Sequence, residues 1–517
     1  MKTRFFSHTM HSRWILVAYF MLLFAAVRAG NASERDPYWE ARAGWENLSG
    51  HPLVGPDRYS WTAAGELWYP NSPAWNSALG AAFHFGGYPG LFWLTFGSIA
   101  LYLTLAWTLA GLLGARALPG LLGIGVPLLL ATVMISGRAT MVVQSLLLLS
   151  VLAPAWWSER ASRYTRSING LVCLGTAATL SLVGNWVHLS YLLLAWSVGL
   201  VWTLMWWLTP GLSRSRRLVL SAAGFAGASV GVVVSPYGLL LGIQRSRSVQ
   251  EACEGLIDEW ASILSTGSLN WVLGGTVALG VSTTTVSHLT GRWRDSRSRD
   301  IRFRVTSGLI AIGLPSAIAG WGATRFVSIS LLVIAPLIAA SSTEWADRAH
   351  RRVQDAQRGF WALSRVQEYT SGRFWMLVLV CVAIVLTPFG LTGASRQSKP
   401  EEVEILMAAP AGCRLFSTPV TGSVAILARP DITVAVDGRA DLYGRERWQS
   451  TLRVLTGMEA LPERASCVVL PDMTILGIKS NAGRDLLERM DADSSWVRAA
   501  ERDGYVLWLP RPPERKP

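Results

Sequence analysis

Carboxylates, guanidinium groups and one imidazole stand at the ends of long apolar runs, and none lies near the middle of one. Asp36 comes first, a few residues past an opening apolar stretch, in the segment ERDPYWEARAGWENLSGHPLVGPDRYSWTAAGELWYP. A carboxylate at such a surface can act as a general base on a hydroxyl. Asp57 follows in the same segment, with Glu40, Arg42 and Arg58. Asp36 and Asp57 together are a candidate site for a divalent cation, Mg or Mn, which would neutralise a phosphate leaving group. Arg grips phosphate through its planar fork. Base, metal pair and phosphate anchors in one loop are the minimum kit for group transfer from a lipid phosphate. The plainer reading of the same charges is a loop kept soluble.

Arg138, His188 and Arg325 each close an apolar run and have apolar neighbours. Two guanidinium groups and an imidazole sharing a cleft would receive an anionic headgroup. Singly, each Arg could snorkel to a membrane surface and the His could serve packing alone. Near the C-terminus, VDGRADLYG gathers Asp437, Arg439 and Asp441 after a strand-like run. These could touch an acceptor, a metal or a neighbouring domain, or form a turn whose charges hold one another; the turn is the favoured reading.

The elements that must position these groups are apolar. Of 517 residues, 51% are hydrophobic and only 16% charged, and the chain carries 25 Trp, a residue that gathers at membrane–water interfaces. Candidate spans run over 14–29, 89–113, 119–136, 139–157, 168–184, 189–208, 217–240, 269–289, 304–320, 326–341 and 374–392. Without ionisable residues at membrane depth they are poor candidates for an ion pathway. The net charge of +13 suggests nucleic acid, but most of the Arg in the membrane half stands in short loops at 158–167, 211–217, 291–304 and 344–373. All of these fall on one side when eleven spans are counted, as the positive-inside rule requires. The N-terminus is therefore expected in the cytoplasm and the C-terminal segment outside. The acidic loops, 31–76 and 243–267, fall outside too, although Arg245 and Arg247 run against that trend. A basic start and Val27-Arg28-Ala29 also resemble a cleavable signal, but an uncleaved first helix is favoured.

The expected architecture is an α-helical polytopic membrane protein with about eleven transmembrane helices over 1–398 and a small extracytoplasmic α/β domain over 399–517. Within the first part, 31–76 is an outer loop and 342–373 a cytoplasmic amphipathic segment or plain connector. In the second, strands are expected at 414–417, 432–436, 467–470 and 505–509, and helices at 445–455 and 482–490. Of the five Cys, Cys413 and Cys467 could join two strands of that domain.

Several segments, in order, resemble a known family: DPYWEARAG, DRYSWTAAGELW, GRATMVVQSLLLL, NWVHLSYLL, VSPYGLLL, IDEWAS, ATRFVSISLLVIAPLIA and VDGRADLYG. The chain is similar to the GT-C superfamily of polytopic glycosyltransferases, which use polyprenyl-phosphate-linked sugars, and within it to a bacterial branch common in actinobacteria. The resemblance implies a GT-C-like fold in the plasma membrane and a catalytic acid in the first outer loop, matched by Asp36. It also implies a lipid-phosphate donor site, with Arg138, His188, Glu259 and Arg325 in segments matching charged positions around it. The chain departs from relatives at Glu40, where His is common, at Ala139, where Pro follows the Arg, and at Leu189, where Gly follows the His.

The function this predicts is transfer of a sugar, hexosyl or pentosyl, from a polyprenyl-phosphate donor to an extracytoplasmic acceptor, a cell-envelope glycan or protein. A non-catalytic envelope scaffold that keeps the fold is the first alternative and a lipid or solute transporter the second. Transporters usually show broken helices and polar groups at the midplane, and nucleic acid is not an expected partner.

Overall fold

The structure is a computed structural model and describes residues 3–30, 34–253, 260–264, 268–293, 300–357, 372–396, 399–471 and 484–512. Packing divides the chain into two units. One comprises Met1–Gly30, Thr95–Ile243 and Ile257–Arg396; the other comprises Asn31–Leu94, Gln244–Leu256 and Gln397–Pro517. A single cut at 398/399 does not describe this packing, because the 31–76 loop belongs with the C-terminal residues.

The first unit is helical. Each apolar run named above overlaps a helix, from Thr3–Gly30 to Gly372–Arg396, although 119–136 outlasts Ala117–Leu130 and 217–240 crosses the break between Arg214–Val233 and Gly238–Cys253. Among the described residues, six helices are long and apolar enough to cross a membrane: Pro73–Leu112, Thr140–Ser158, Arg166–Val187, Arg214–Val233, Ile301–Ala319 and Arg325–Ala349. Shorter apolar helices include Ile15–Gly30, Ala117–Leu130 and Leu194–Leu208. Without water, helices associate by close van der Waals approach, which favours small residues. Gly227 and Gly231, one turn apart, serve this purpose. A Cβ on Gly231 would stand 2.5 Å from the Ser181 side chain and 2.6 Å from the Leu182 amide. In the opening helix, Arg28 donates from Nε to the Ile135 carbonyl at 2.8 Å and from Nη2 to that of Thr132 at 2.9 Å. The Arg of the signal-like tripeptide is thus a structural member of the helical unit.

Helix Arg325–Gln357 continues without interruption past the tenth apolar run. Residues 342–357 are therefore its extension, and the rest of the expected amphipathic segment, 358–371, lies outside the described residues.

The second unit holds a five-stranded mixed sheet. Its strands are β3 (Arg414–Ser417), β4 (Thr433–Val434), β5 (Cys467–Pro471), β6 (Trp496–Arg502) and β7 (Tyr505–Pro510), in the order β4-β3-β5-β7-β6. The strand β3 runs parallel to both its neighbours, and β7 antiparallel to both of its own. A small ribbon, β1 (Gly55–Pro56) with β2 (Leu67–Trp68), belongs to the first loop. Phe416, Val468, Leu470, Val506 and Trp508 form one core with Leu455, Leu486 and Met490 from the covering helices.

The first loop completes this sheet. Ser60 bridges to Val434 in parallel, the Val434 amide donates to the Tyr59 carbonyl at 2.9 Å, and the Trp61 amide donates to the Val434 carbonyl at 3.0 Å. The open edge of β4 is thereby paired, which an edge strand otherwise needs. Helix Asp36–Leu48 packs on helix Pro419–Ala428.

Cys413 and Cys467 form a disulfide with Cα atoms 6.1 Å apart. They are 54 residues apart in sequence, and closing such a loop stabilises by about 4 kcal/mol in the chain-entropy picture. Replacing both by Ser should lower the denaturation midpoint of the second unit by a corresponding amount. Urea unfolding followed by Trp fluorescence measures this, and an unchanged midpoint would deny the cross-link a stabilising role.

Candidate functional site

The second unit carries the loop acid. Asp36 is the first residue of helix Asp36–Leu48 and is followed by Pro37. Pro suits this position because its missing N–H would be unpaired there anyway, and an acid in the first turn faces the positive helix end. The helix start is held by Arg35, whose Nε and Nη2 each donate to Glu402 at 3.0 Å, one to each carboxylate oxygen. Glu402 is fully buried, so this bidentate pair fixes the chain just before Asp36.

Asp36 itself is half-buried, and its Oδ1 accepts from Trp39 Nε1 at 3.1 Å. The other wall is the VDGRADLYG turn. A Cβ on Gly438 would collide with Asp36 Oδ1 and stand 2.9 Å from Trp39 Nε1 and 3.2 Å from Ser423 Oγ. Only Gly lets the turn approach so closely. Ser423 Oγ also accepts the Gly438 amide at 2.9 Å, which holds the turn in place.

Directly after it lies a buried ion network. Arg439 is 1% exposed and donates to Asp437 Oδ1 from Nε at 2.8 Å and to Asp437 Oδ2 from Nη2 at 2.6 Å. Its Nη1 donates to Asp57 Oδ1 at 2.6 Å. The Tyr443 hydroxyl donates to Asp437 Oδ2 at 2.6 Å. Tyr59 and Trp68 flank the guanidinium, each with its ring centre 5.0 Å from Cζ. Burial alone would favour neutral Arg439, but the two carboxylates override it and hold the group well into its charged form. Burial first, and then Asp437, push the Tyr443 hydroxyl upward and keep it neutral.

Asp57 therefore does not serve as the expected second acid or metal ligand. Its Oδ1 takes Arg439 and the Tyr59 amide, and its Oδ2 takes the Ser60 amide and the Ser60 hydroxyl. A carboxylate has about four acceptor positions, and all of these are engaged. Among the described residues, no group of three or more His, Cys, Asp and Glu side chains could hold a metal ion. With Asp57 engaged, the Asp36–Asp57 pair does not offer two free carboxylates to Mg or Mn.

Asp441 is paired with Arg245, whose Nη2 donates at 3.0 Å and whose guanidinium lies 4.8 Å from the Tyr69 ring centre. Burial raises the Asp441 pKa, and Arg245 opposes that rise. The Arg that ran against the loop-charge trend thus has a buried acid to neutralise. Within the turn only Asp437 and Arg439 hold each other; Arg439 also takes Asp57, and Asp441 takes Arg245.

In the first unit, the guanidinium charges of Arg138 and Arg325 both act on the His188 imidazole. His188 follows helix Arg166–Val187, and its Nδ1 accepts the Ser190 amide at 3.0 Å. The Arg325 Cζ lies 4.1 Å from the Trp260 ring centre. Burial, then Arg325 and Arg138, push the His188 pKa down to about 3. A neutral ring whose Nδ1 accepts a backbone N–H carries its proton on Nε2, as a hydrogen-bond donor. Glu259 lies outside the described residues.

Trp39, Gly438, Ser423 and Tyr443 were not apparent as site residues in the sequence. Trp39 had a signal: three positions past Asp36 on a helix, it must share that face. The 31–76 segment read as loop, so the helical spacing had no frame.

No family model matches the chain, and no curated protein matches it. Solved structures give weak similarities. An archaeal oligosaccharyltransferase, AglB from Archaeoglobus fulgidus, in complex with an inhibitory peptide and a dolichol-phosphate, is 11% identical. It covers 89% of this chain and 70% of its own, with a TM-score of 0.43. ArnT from Cupriavidus metallidurans, bound to undecaprenyl phosphate, is 14% identical and covers 96% of this chain and 97% of its own, with a TM-score of 0.38. Similarity at this level leaves the chemistry to be argued from the side chains.

Two outcomes test these assignments. Arg439→Met leaves Asp57 and Asp437 buried without their counter-charge, and should cost the second unit about 3–5 kcal/mol; a denaturation midpoint within error of wild type would show that the network is not a clamp. His188 should stay neutral through pH 5–8. Because its folded pKa is depressed, its stabilising effect is complete above the ordinary His value and is lost as pH falls from there toward about 3. Arg325→Gln should move the titration upward, and histidine nitrogen chemical shifts read both values.

Proposed function

We propose that this chain is a GT-C-type membrane glycosyltransferase, moving a sugar from a polyprenyl-phosphate donor to an acceptor outside the cytoplasmic membrane. The observation that carries the proposal is the setting of Asp36: a half-buried carboxylate at a helix start, aligned by Trp39 and backed by a glycine with no side chain to displace it. A polyprenyl donor must stay in the bilayer, which fits a chain with six membrane-span helices among its described residues.

In this reading Asp36 removes the proton from an acceptor hydroxyl as that oxygen attacks the anomeric carbon. The bond from that carbon to the phosphate oxygen breaks, and the phosphate leaves with the electron pair. Arg138 and Arg325 stabilise the anionic leaving group, and neutral His188 donates a further hydrogen bond through Nε2. With Asp36 as a single base activating the acceptor oxygen, the anomeric centre inverts. Asp437, Arg439 and Asp441 position the turn behind Asp36 and do not touch the reacting atoms. The acceptor is a cell-envelope glycan or protein, and the 399–517 segment lies on the same side as that acceptor.

The test is transfer by purified full-length protein from radiolabelled polyprenyl-phosphate hexoses and pentoses to envelope acceptors. Asp36→Asn should fold normally and lose about 10²–10⁴-fold in rate, the usual worth of a general base. Wild-type transfer by that variant removes Asp36 from the chemistry. No product with any donor, together with an envelope defect on deleting 400–517 but none from Asp36→Ala, would favour the scaffold reading, which the departures at Glu40, Ala139 and Leu189 also suit.

A further inference from the structure

A polar cavity of about 330 Å³ lies in the helical unit, lined by the 158–162 connection, the 209–212 connection, Arg216 and Arg304. None of these residues belongs to the groups described above. Arg304 is in the first turn of helix Ile301–Ala319, and Arg216 is in the first turn of helix Arg214–Val233. Two guanidinium groups therefore meet one space, while the helix starts that carry them are capped by Asp300 and Ser213.

The charge there is not balanced. Glu159 is the acid of the lining and is ion-paired with Arg304 Nη2. Arg216 Nη2 is occupied by the Tyr164 carbonyl at 3.1 Å and the Ala161 carbonyl at 3.5 Å. The Nε atoms of both Arg216 and Arg304 are buried with no hydrogen-bond partner. Arg304 is only 4% exposed, so it cannot reach water as a snorkelling Arg would. A buried guanidinium N–H without an acceptor is costly, and a ligand carrying several anionic oxygens would supply acceptors to both.

We propose that this cavity is a phosphate-binding site, for phosphate presented either free in solution or as the headgroup of an acidic phospholipid. Arg304 and Arg216 hold the anion through their guanidinium groups. Ser162 and the backbone of 209–212 form the rim, and Glu159 keeps Arg304 oriented. By the loop-charge pattern this is the cytoplasmic end of the helices, so its ligand is not the donor of the reaction above, and the site stands or fails independently of that reaction.

The experiment uses full-length protein in neutral detergent and phosphate-free buffer. One arm titrates inorganic phosphate against sodium chloride at matched ionic strength and reads the thermal midpoint. The other compares nanodiscs of phosphatidylcholine alone with nanodiscs containing phosphatidylglycerol, and counts retained lipid by native mass spectrometry. Wild type should be stabilised by phosphate, or retain phosphatidylglycerol, beyond the control. A response to phosphate marks the free anion as the source, and a response to phosphatidylglycerol alone marks the lipid. Arg216→Gln leaves the Arg304–Glu159 pair intact and should weaken the response about tenfold, with Arg216→Lys intermediate because it keeps charge without the fork. No response beyond chloride and phosphatidylcholine in wild type overturns the proposal, as does an unchanged affinity in a folded Arg216→Gln protein.

Discussion

The second unit depends on one buried cation. Arg439 lies between Asp57, from the first loop, and Asp437, from the end of the sheet region, and all three side chains are removed from water. Desolvating three charges is expensive, so such an arrangement persists only where geometry and hydrogen bonding are nearly complete. Here they are: Asp57 is saturated by two amides, a hydroxyl and the guanidinium, and Asp437 by the guanidinium, the Tyr443 hydroxyl and the Arg439 amide. The ion network does what a hydrophobic patch could not. It fixes the rotation and register of the turn, and with it the position of Gly438 one residue away.

That register matters because Asp36 is placed from two directions. Arg35 and Glu402 fix the start of its helix, and Trp39 fixes one oxygen. The turn that Arg439 anchors forms the wall that a side chain at position 438 would breach. A catalytic group needs tight positioning by neighbours that are themselves locked, and each neighbour of Asp36 is held by a second contact of its own. The Arg138–His188–Arg325 group follows another logic. Burial first, and then the charges of Arg325 and Arg138, keep its imidazole neutral.

Much of this could be read from residue order alone. The apolar runs located the helices to within a few residues at most ends, because a span must be long and uncharged whatever its neighbours do. Strands 414–417 and 467–471 were visible as short apolar runs, and Cys413 and Cys467 lie beside the β3–β5 pairing that lets them bond. The strand Trp496–Arg502 was missed because it is an exposed edge whose Arg498, Glu501 and Arg502 hide any apolar pattern. Helix Asp36–Leu48 is hidden in the sequence because its buried face includes two acids, Glu40 and Glu46, the second held by Arg42 and the Tyr59 hydroxyl. Asp57 reads in sequence as a free carboxylate, yet Tyr59 and Ser60 close by and Arg439 far along the chain already donate to it. Charge pairing across hundreds of residues leaves no local trace.

Arg439 and Asp57 are separated by 382 positions, and Arg35 and Glu402 by 367. A ribosome making this protein emits the loop early and its counter-charges almost last. Through most of synthesis, Asp57 and Arg35 therefore lack these partners, and the edge of β4 does not yet exist to receive residues 59–61. Translation order thus delays the setting of Asp36: Glu402 and Gly438, which fix its surroundings, arrive only with the final quarter of the chain.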